Sequence, residues 1–171
     1  MPPFYDIYGF SKKRDKETIE NFLSFFCFRD KVECREGQEI RIYKNDKYGI
    51  DEIIIPIETL SEVVNYGINN SDHGFAFYIG DNLKRGVDEI ILKFTYDGKM
   101  IYGISIEKNL LTEEGNLTDN YGKAQIIEKE IAVLTYSTKT SIQFEYPPSD
   151  DEVDFNRDIE LWANMNREKR K

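Results

Sequence analysis

The chain has 171 residues, 40% of them hydrophobic and 13% aromatic, which is ample for one domain with a substantial core. It carries 32 Asp and Glu against 23 Lys and Arg, a formal charge of −9 at pH 7. That balance argues against recruitment by a phosphate backbone or an anionic membrane surface, both of which need clustered cations, and it favours a basic protein partner.

Residues 4–10 alternate, with Phe4, Asp6 and Tyr8 on one side and Tyr5, Ile7 and Phe10 near the other, and predict a first strand. Ser11-Lys12-Lys13-Arg14 reads as a polar break. Asp15 is the candidate N-cap of a helix over 16–28, in which Ile19, Phe22, Leu23 and Phe26 recur at helical spacing. Gly37 opens a strand over 38–44. The β-branched run 50–57, with Pro56 near its end, predicts an edge strand. Thr59-Leu60-Ser61-Glu62 matches a capping box, and the short helix after it has Leu60, Val63 and Val64 inward and Gly67 as its stop.

A turn at 69–72 leads to an aromatic strand over 74–80. The alternating runs 89–96 and 99–107 flank Asp97-Gly98, the signature of a two-residue type I′ hairpin loop. Ala124, Ile127, Ile131 and Leu134 predict a helix over 119–135, and a last strand over 141–146 stops at Pro147-Pro148. The segment 149–166 reads as an acidic helix: its acids suit a helix N-terminus, Phe155, Ile159 and Trp162 form one stripe, and Arg167-Glu168-Lys169-Arg170-Lys171 suits the negative end. The order βαββαβββ then αβα predicts a single α+β domain: an antiparallel or mixed sheet with a central Asp-Gly hairpin and three to four helices on one face.

The catalytic inventory is small. There is one histidine, His73, and two cysteines, Cys27 and Cys34, and no HExxH, GxSxG, Walker A or GxGxxG pattern. His73 reads as a surface-loop residue, because a general base needs an assembled partner geometry. The cysteine spacing fits neither CxxC nor a zinc pattern, so both read as reduced and structural. No catalytic, cofactor-binding or metal-ligating residue is assigned, and no cofactor is expected. The aromatic strand faces read as core, since base stacking would need interleaved Lys and Arg. The N-terminus lacks a signal-peptide pattern and no apolar run approaches the ~20 residues of a membrane span, which leaves the cytoplasm as the expected location. Asp150-Asp151-Glu152-Val153-Asp154 lacks the glycine and distal glutamate of a calcium loop. It reads either as a helix-capping run or, with Glu145 and Asp158, as a surface opposing a basic cleft on a partner.

Two stretches carry a resemblance. One is Tyr5-Asp6-Ile7-Tyr8-Gly9 with Arg14-Asp15 and Thr18-Ile19-Glu20-Asn21-Phe22-Leu23. The other is Phe77-Tyr78-Ile79-Gly80 through Asp88-Glu89-Ile90-Ile91-Leu92-Lys93-Phe94-Thr95-Tyr96-Asp97-Gly98-Lys99 and Gly103-Ile104-Ser105. Over roughly the first two thirds of its length the chain resembles a family of small bacterial cytosolic proteins. The acidic single-domain α+β form is similar to immunity proteins of contact-dependent inhibition and other polymorphic toxin systems. The resemblance implies a non-enzymatic protein that binds a cognate toxin domain, such as a nuclease. The expected contact residues are Glu145, Asp150, Asp151, Glu152, Asp154 and Asp158, joined by Asp81, Glu113 and Glu114 in loops. The alternatives are a hydrolase using carboxylates and a metal, with acids converging from separate strands, and an interaction module dimerising through the edge near Pro56.

Overall fold

Residues 3–44 and 52–166 are described by the structure, a computed structural model; Ile50 and the basic tail 167–171 lie outside them. The first half runs β1 (Phe4–Ser11), α1 (Lys16–Phe26), β2 (Cys34–Lys44), β3 (Glu52–Thr59), α2 (Leu60–Asn69) and β4 (His73–Ile79). The second half runs β5 (Glu89–Phe94), β6 (Met100–Glu107), β7 (Asn109–Leu111), β8 (Leu117–Asp119), α3 (Tyr121–Thr135), β9 (Lys139–Phe144) and α4 (Glu152–Asn166). This is the expected α+β order with two small additions, a 3-10 turn over Arg29–Val32 and the β7–β8 ribbon. The expected helix starts hold: the Asp15 carboxylate accepts the Thr18 N–H at 2.9 Å, and the Thr59 hydroxyl accepts the Glu62 N–H at 3.2 Å.

The main sheet has the order β3-β2-β4-β5-β6-β1-β9, and all its pairings are antiparallel. β2 meets β4 only through Tyr43 opposite Gly74 and Lys44 opposite His73, so the β2–β3 ribbon is joined at one corner. Its first face is covered by α1, α2 and α3, where Ile7, Leu92, Phe94, Tyr102 and Ile104 pack with Phe22, Leu23, Val63 and Ile131. α4 corrects the expectation of helices on one face only. It lies on the opposite face, where Phe155 and Ile159 cover Tyr8, Phe10, Ile91 and Ile101. The reason lies in the strands: β1, β5 and β6 are buried on both sides, with Tyr8, Phe10, Ile91 and Ile101 giving the second face an apolar patch that needs a cover. β9 is an edge strand, so the chain leaving it can cross to the second face without passing a neighbour.

Both edges are blunted against further pairing. On β3, Pro56 has no N–H, and the Glu58 N–H is taken by the Glu62 carboxylate at 2.9 Å. On β9, the Ile142 carbonyl accepts the Asn166 side-chain amide at 2.6 Å.

Two turns depart from expectation. β5 and β6 are antiparallel neighbours, but a two-residue Asp97-Gly98 loop does not close them. The last pair is Phe94 with Met100, Gly98 alone has a positive φ of 80°, and the Thr95 N–H bonds the Lys99 carbonyl at 3.0 Å. The Thr95 hydroxyl and Asp97 carboxylate hold this wider turn at 2.5 Å, which leaves the other Asp97 oxygen free to accept the Glu152 N–H of α4 at 3.0 Å.

Gly67 does not end α2, which continues to Asn69. A side chain there would drive into the Phe94 ring, itself stacked on Phe75 at 4.6 Å. Alanine would gain about 1 kcal/mol of helix propensity but overpack a closed aromatic stack at about 1–3 kcal/mol. Gly67→Ala is therefore expected to lower stability despite improving the helix; a thermal melt with Tm at or above wild type would refute that reading.

The polar break Ser11–Arg14 is also more than a break. All five N–H groups of Arg14 are spent on backbone carbonyls: Gly67 and Asn70 of α2 and its cap, His73 of β4, and Thr95 and Lys99 of the β5–β6 turn, at 2.8–3.2 Å.

Candidate functional site: an acidic cleft on the second sheet face

The strand register assembles the site. Gln143, Asp6, Ser105 and Glu89 lie opposite one another across β9, β1, β6 and β5, forming a polar row on the second face. The next row contains Ser141, Tyr8, Gly103 and Ile91, and Tyr78 of β4 lies opposite Ile91. Gly103 admits the Tyr8 ring, which comes within 2.8 Å of where a Cβ would sit. α4 covers the rows beyond, and the Asp6–Glu89 end of the sheet stays open.

The result is a cleft of about 380 Å³ lined by Phe4, Asp6, Asp88, Glu89, Ser105 and Glu145. A smaller recess of about 160 Å³ shares Asp6, Glu89 and Glu145 with it and has walls of Tyr8, Tyr78, Tyr146 and Pro147. Among the described residues, no Lys, Arg or His lines either space. The segment leaving β9 supplies one wall. The Tyr146 N–H donates to Asp6 Oδ2 at 2.9 Å, the Tyr146 carbonyl accepts from the Tyr8 hydroxyl at 2.7 Å, and the Glu145 N–H donates to the Phe4 carbonyl at 3.2 Å. Glu145 makes this turn with φ of 47°, a left-handed conformation that costs a non-glycine residue about 1–2 kcal/mol. Such strain persists where surrounding contacts over-determine it, and it clusters at functional positions.

The electrostatics are one-sided. Asp6 is only 9% exposed, and burial raises its carboxyl above the ordinary range although Ser105 and the Tyr146 N–H bond its charged form. Burial also raises Glu89, with the neighbouring Asp6 charge adding to the effect. Burial raises the Tyr8 and Tyr78 hydroxyls as well. The cleft thus gathers negative charge, partly desolvated, with no cation lining it among the described residues.

Of the six contact residues expected from sequence, Glu145 lies in this cleft. The other five have partners within the chain. Asp150 pairs with Lys93 at 3.0 Å, and Asp151 caps α4 by accepting the Asp154 N–H at 2.9 Å. Glu152 bridges Lys99 at 2.6 Å and Lys139 at 2.9 Å. Asp154, buried, pairs with Arg157 at 2.6 Å, and Asp158, buried, accepts the Ser149 hydroxyl at 2.6 Å. Among the loop acids, Asp81 pairs with Arg35 at 2.9 Å, while Glu113 and Glu114 are exposed between β7 and β8. Sequence reading missed Asp6, Asp88, Glu89 and Ser105. The available signal was Asp6 itself, a charged residue inside an otherwise apolar strand.

His73 is not on a surface loop: it begins β4, is 8% exposed, and its Nδ1 lies 2.7 Å from the Tyr66 hydroxyl. The turn at 69–72 is shorter than it reads, because β4 starts one residue before the aromatic run. Cys27 is buried, and burial pushes its thiol up to about 11, whereas Cys34 is exposed. Among the described residues no three His, Cys, Asp or Glu side chains are grouped to hold a metal, and no helix is long and apolar enough to cross a membrane. Fold and site thus define an antiparallel α+β protein with an acidic, aromatic-walled cleft. Its chain matches no family model, no curated protein and no solved structure.

The two groups of acids act in opposite directions on stability. Asp6 and Glu89 bind protons more tightly folded than unfolded, so their penalty is present at neutral pH and relieved as pH falls through their raised values. Glu152 is held down to about 2 by its bonds to Lys99 and Lys139. Its contribution is complete above the unfolded value of about 4.3 and is lost as pH falls from there toward about 2. Urea midpoints taken from pH ~8 to pH ~3 should rise and then fall. Asp6→Asn with Glu89→Gln should flatten the rise, and Glu152→Gln should flatten part of the fall. A profile the first pair leaves unchanged would contradict the assigned protonation of the cleft.

Proposed function

We propose that this chain is a non-enzymatic binding protein whose cleft receives a basic side chain of a protein partner between Asp6, Glu89 and Glu145. The observation that carries this reading is a partly buried carboxylate group with no cation lining it among the described residues. An arriving Arg or Lys would supply the missing charge and could lie against Tyr78 and Tyr146, since a cation near an aromatic face is favoured by about 0.5–2 kcal/mol. With the net charge of −9 and the sequence resemblance, the class this suits best is a cytoplasmic immunity protein that neutralises a cognate bacterial toxin domain. A nuclease, with a cationic groove of its own, is the matching kind of toxin. The test is co-expression with the C-terminal domain of whatever large protein a neighbouring gene encodes. Growth rescue with a stable complex supports the reading; toxicity with neither rescue nor co-purification removes it.

One observation favours a second reading. Asp6 and Glu89 are carboxyls from separate strands, both raised, in a cleft with a serine and tyrosines, and perturbed acids in clefts are candidates for general acid–base work. A hydrolase of this design would cleave a neutral substrate such as a glycoside. Turnover of a glycoside panel by the purified protein, abolished by Asp6→Asn, would put this reading first.

A further inference from the structure

Helix α4 is held by two unlike sets of contacts. The apolar set is small: Phe155 and Ile159 against Tyr8, Phe10, Ile91 and Ile101, with the Phe155 ring 5.5 Å from Phe10. The polar set gathers mainly at its N-terminal end, with one buried bond at the other, from the Asn166 amide to the Ile142 carbonyl. Lys99 and Lys139 converge on Glu152, Lys93 holds the preceding Asp150, and Lys139 also donates to Asn156 at 2.7 Å. The two Glu152 pairs are partly open to solvent, with Glu152, Lys99 and Lys139 about a third exposed, so salt screens them, whereas Lys93 is buried. Further along, the fit is incomplete. Trp162 Nε1 on α4 and Gln143 Oε1 on the β9 surface beneath it are buried without a hydrogen-bond partner. Each gave up water on docking and regains it on release.

We propose that α4 is a detachable strap. It lifts from the second face while the sheet and the three helices on the first face stay folded, and Lys99 and Lys139 on Glu152 are its salt-sensitive catch. Release uncovers the apolar surface of Tyr8, Phe10, Ile91 and Ile101. It also moves the cleft wall, because the segment carrying Glu145 and Tyr146 runs directly into α4. The proposal stands on the unliganded chain and does not rest on what the cleft binds. Unevenly distributed stability of this kind is common, and weakly anchored terminal elements open first.

Trp162 is the only tryptophan and packs on Tyr146 at 5.7 Å, so its emission reports on strap docking. Raising NaCl from about 0.1 M to about 1 M shortens the screening length from about 10 Å to about 3 Å. Over that range acrylamide quenching of Trp162 should rise about threefold, and amide exchange should accelerate in 153–166 but not in β1, β5 or β6. Glu152→Gln should show the same behaviour at low salt. Quenching that stays flat in wild type until the sheet amides exchange in the same step would overturn the strap, whatever the variant does.

Discussion

Arg14→Ala is expected to lower stability by about 3–5 kcal/mol, more than any other single polar substitution in this chain. The guanidinium supplies five donors in a fixed planar fork, and here each donor has its own carbonyl. Two of those carbonyls close α2, one begins β4, and two belong to the β5–β6 turn, so one side chain ties four segments. No carboxylate is among these five acceptors, and burial lowers the group to about 10, which still leaves it charged at neutral pH. The Phe94 ring lies 5.2 Å below the guanidinium carbon and seals it from one side. Removing the side chain strands several half-buried carbonyls at once, each costing about 1–3 kcal/mol if water does not reach it. Lysine is a poor substitute: it keeps the charge but has three donors at a point instead of five in a fork. Arg14→Lys should therefore recover less than half the loss. Urea denaturation settles the matter; a loss below about 1 kcal/mol for Arg14→Ala would mean that solvent already satisfies those carbonyls.

What the sequence made legible follows from how local each signal is. The capped helices α1 and α2 were readable because Asp15 and Thr59 act on N–H groups three residues ahead. The alternation of β1, β5 and β6 was readable because the side-chain period of a strand is intrinsic to it. Arg14 was not, since its acceptors lie 53–85 residues away and backbone carbonyls carry no residue-type signature. The cleft was hidden for the same reason. Asp6, Ser105 and Glu89 meet only through the β1–β6–β5 register, which period and propensity leave open. The acidic run at 150–158 drew attention by density alone. In the fold, its charge is largely matched by Lys93, Lys99, Lys139, Arg157 and the first turn of α4.

That distinction separates two sets of acids by experiment. Reversing charge at Asp150, Asp151 and Asp154 removes two ion pairs and a helix cap, and should cost about 1–3 kcal/mol of stability while changing affinity for a basic partner only modestly. Neutralising the cleft should do the opposite. Asp6→Asn, Glu89→Gln and Glu145→Gln together remove repulsion among clustered carboxylates, of which Asp6 and Glu89 are partly desolvated, and should stabilise the folded chain by about 0.5–2 kcal/mol at neutral pH. The same triple variant should weaken the complex by about 30- to 1,000-fold, because a partner cation buried against neutral amides loses about 2–4 kcal/mol. The complex of the unsubstituted chain should also associate more slowly as salt rises, since the field that steers the partner is screened. Isothermal titration and chemical denaturation on one set of proteins give both signs. More stable and more weakly bound is the signature of a site that keeps its charge for a partner. If the triple variant binds as tightly as the unsubstituted chain, the cleft is not the interface; if it is no more stable, the carboxylates were never in conflict.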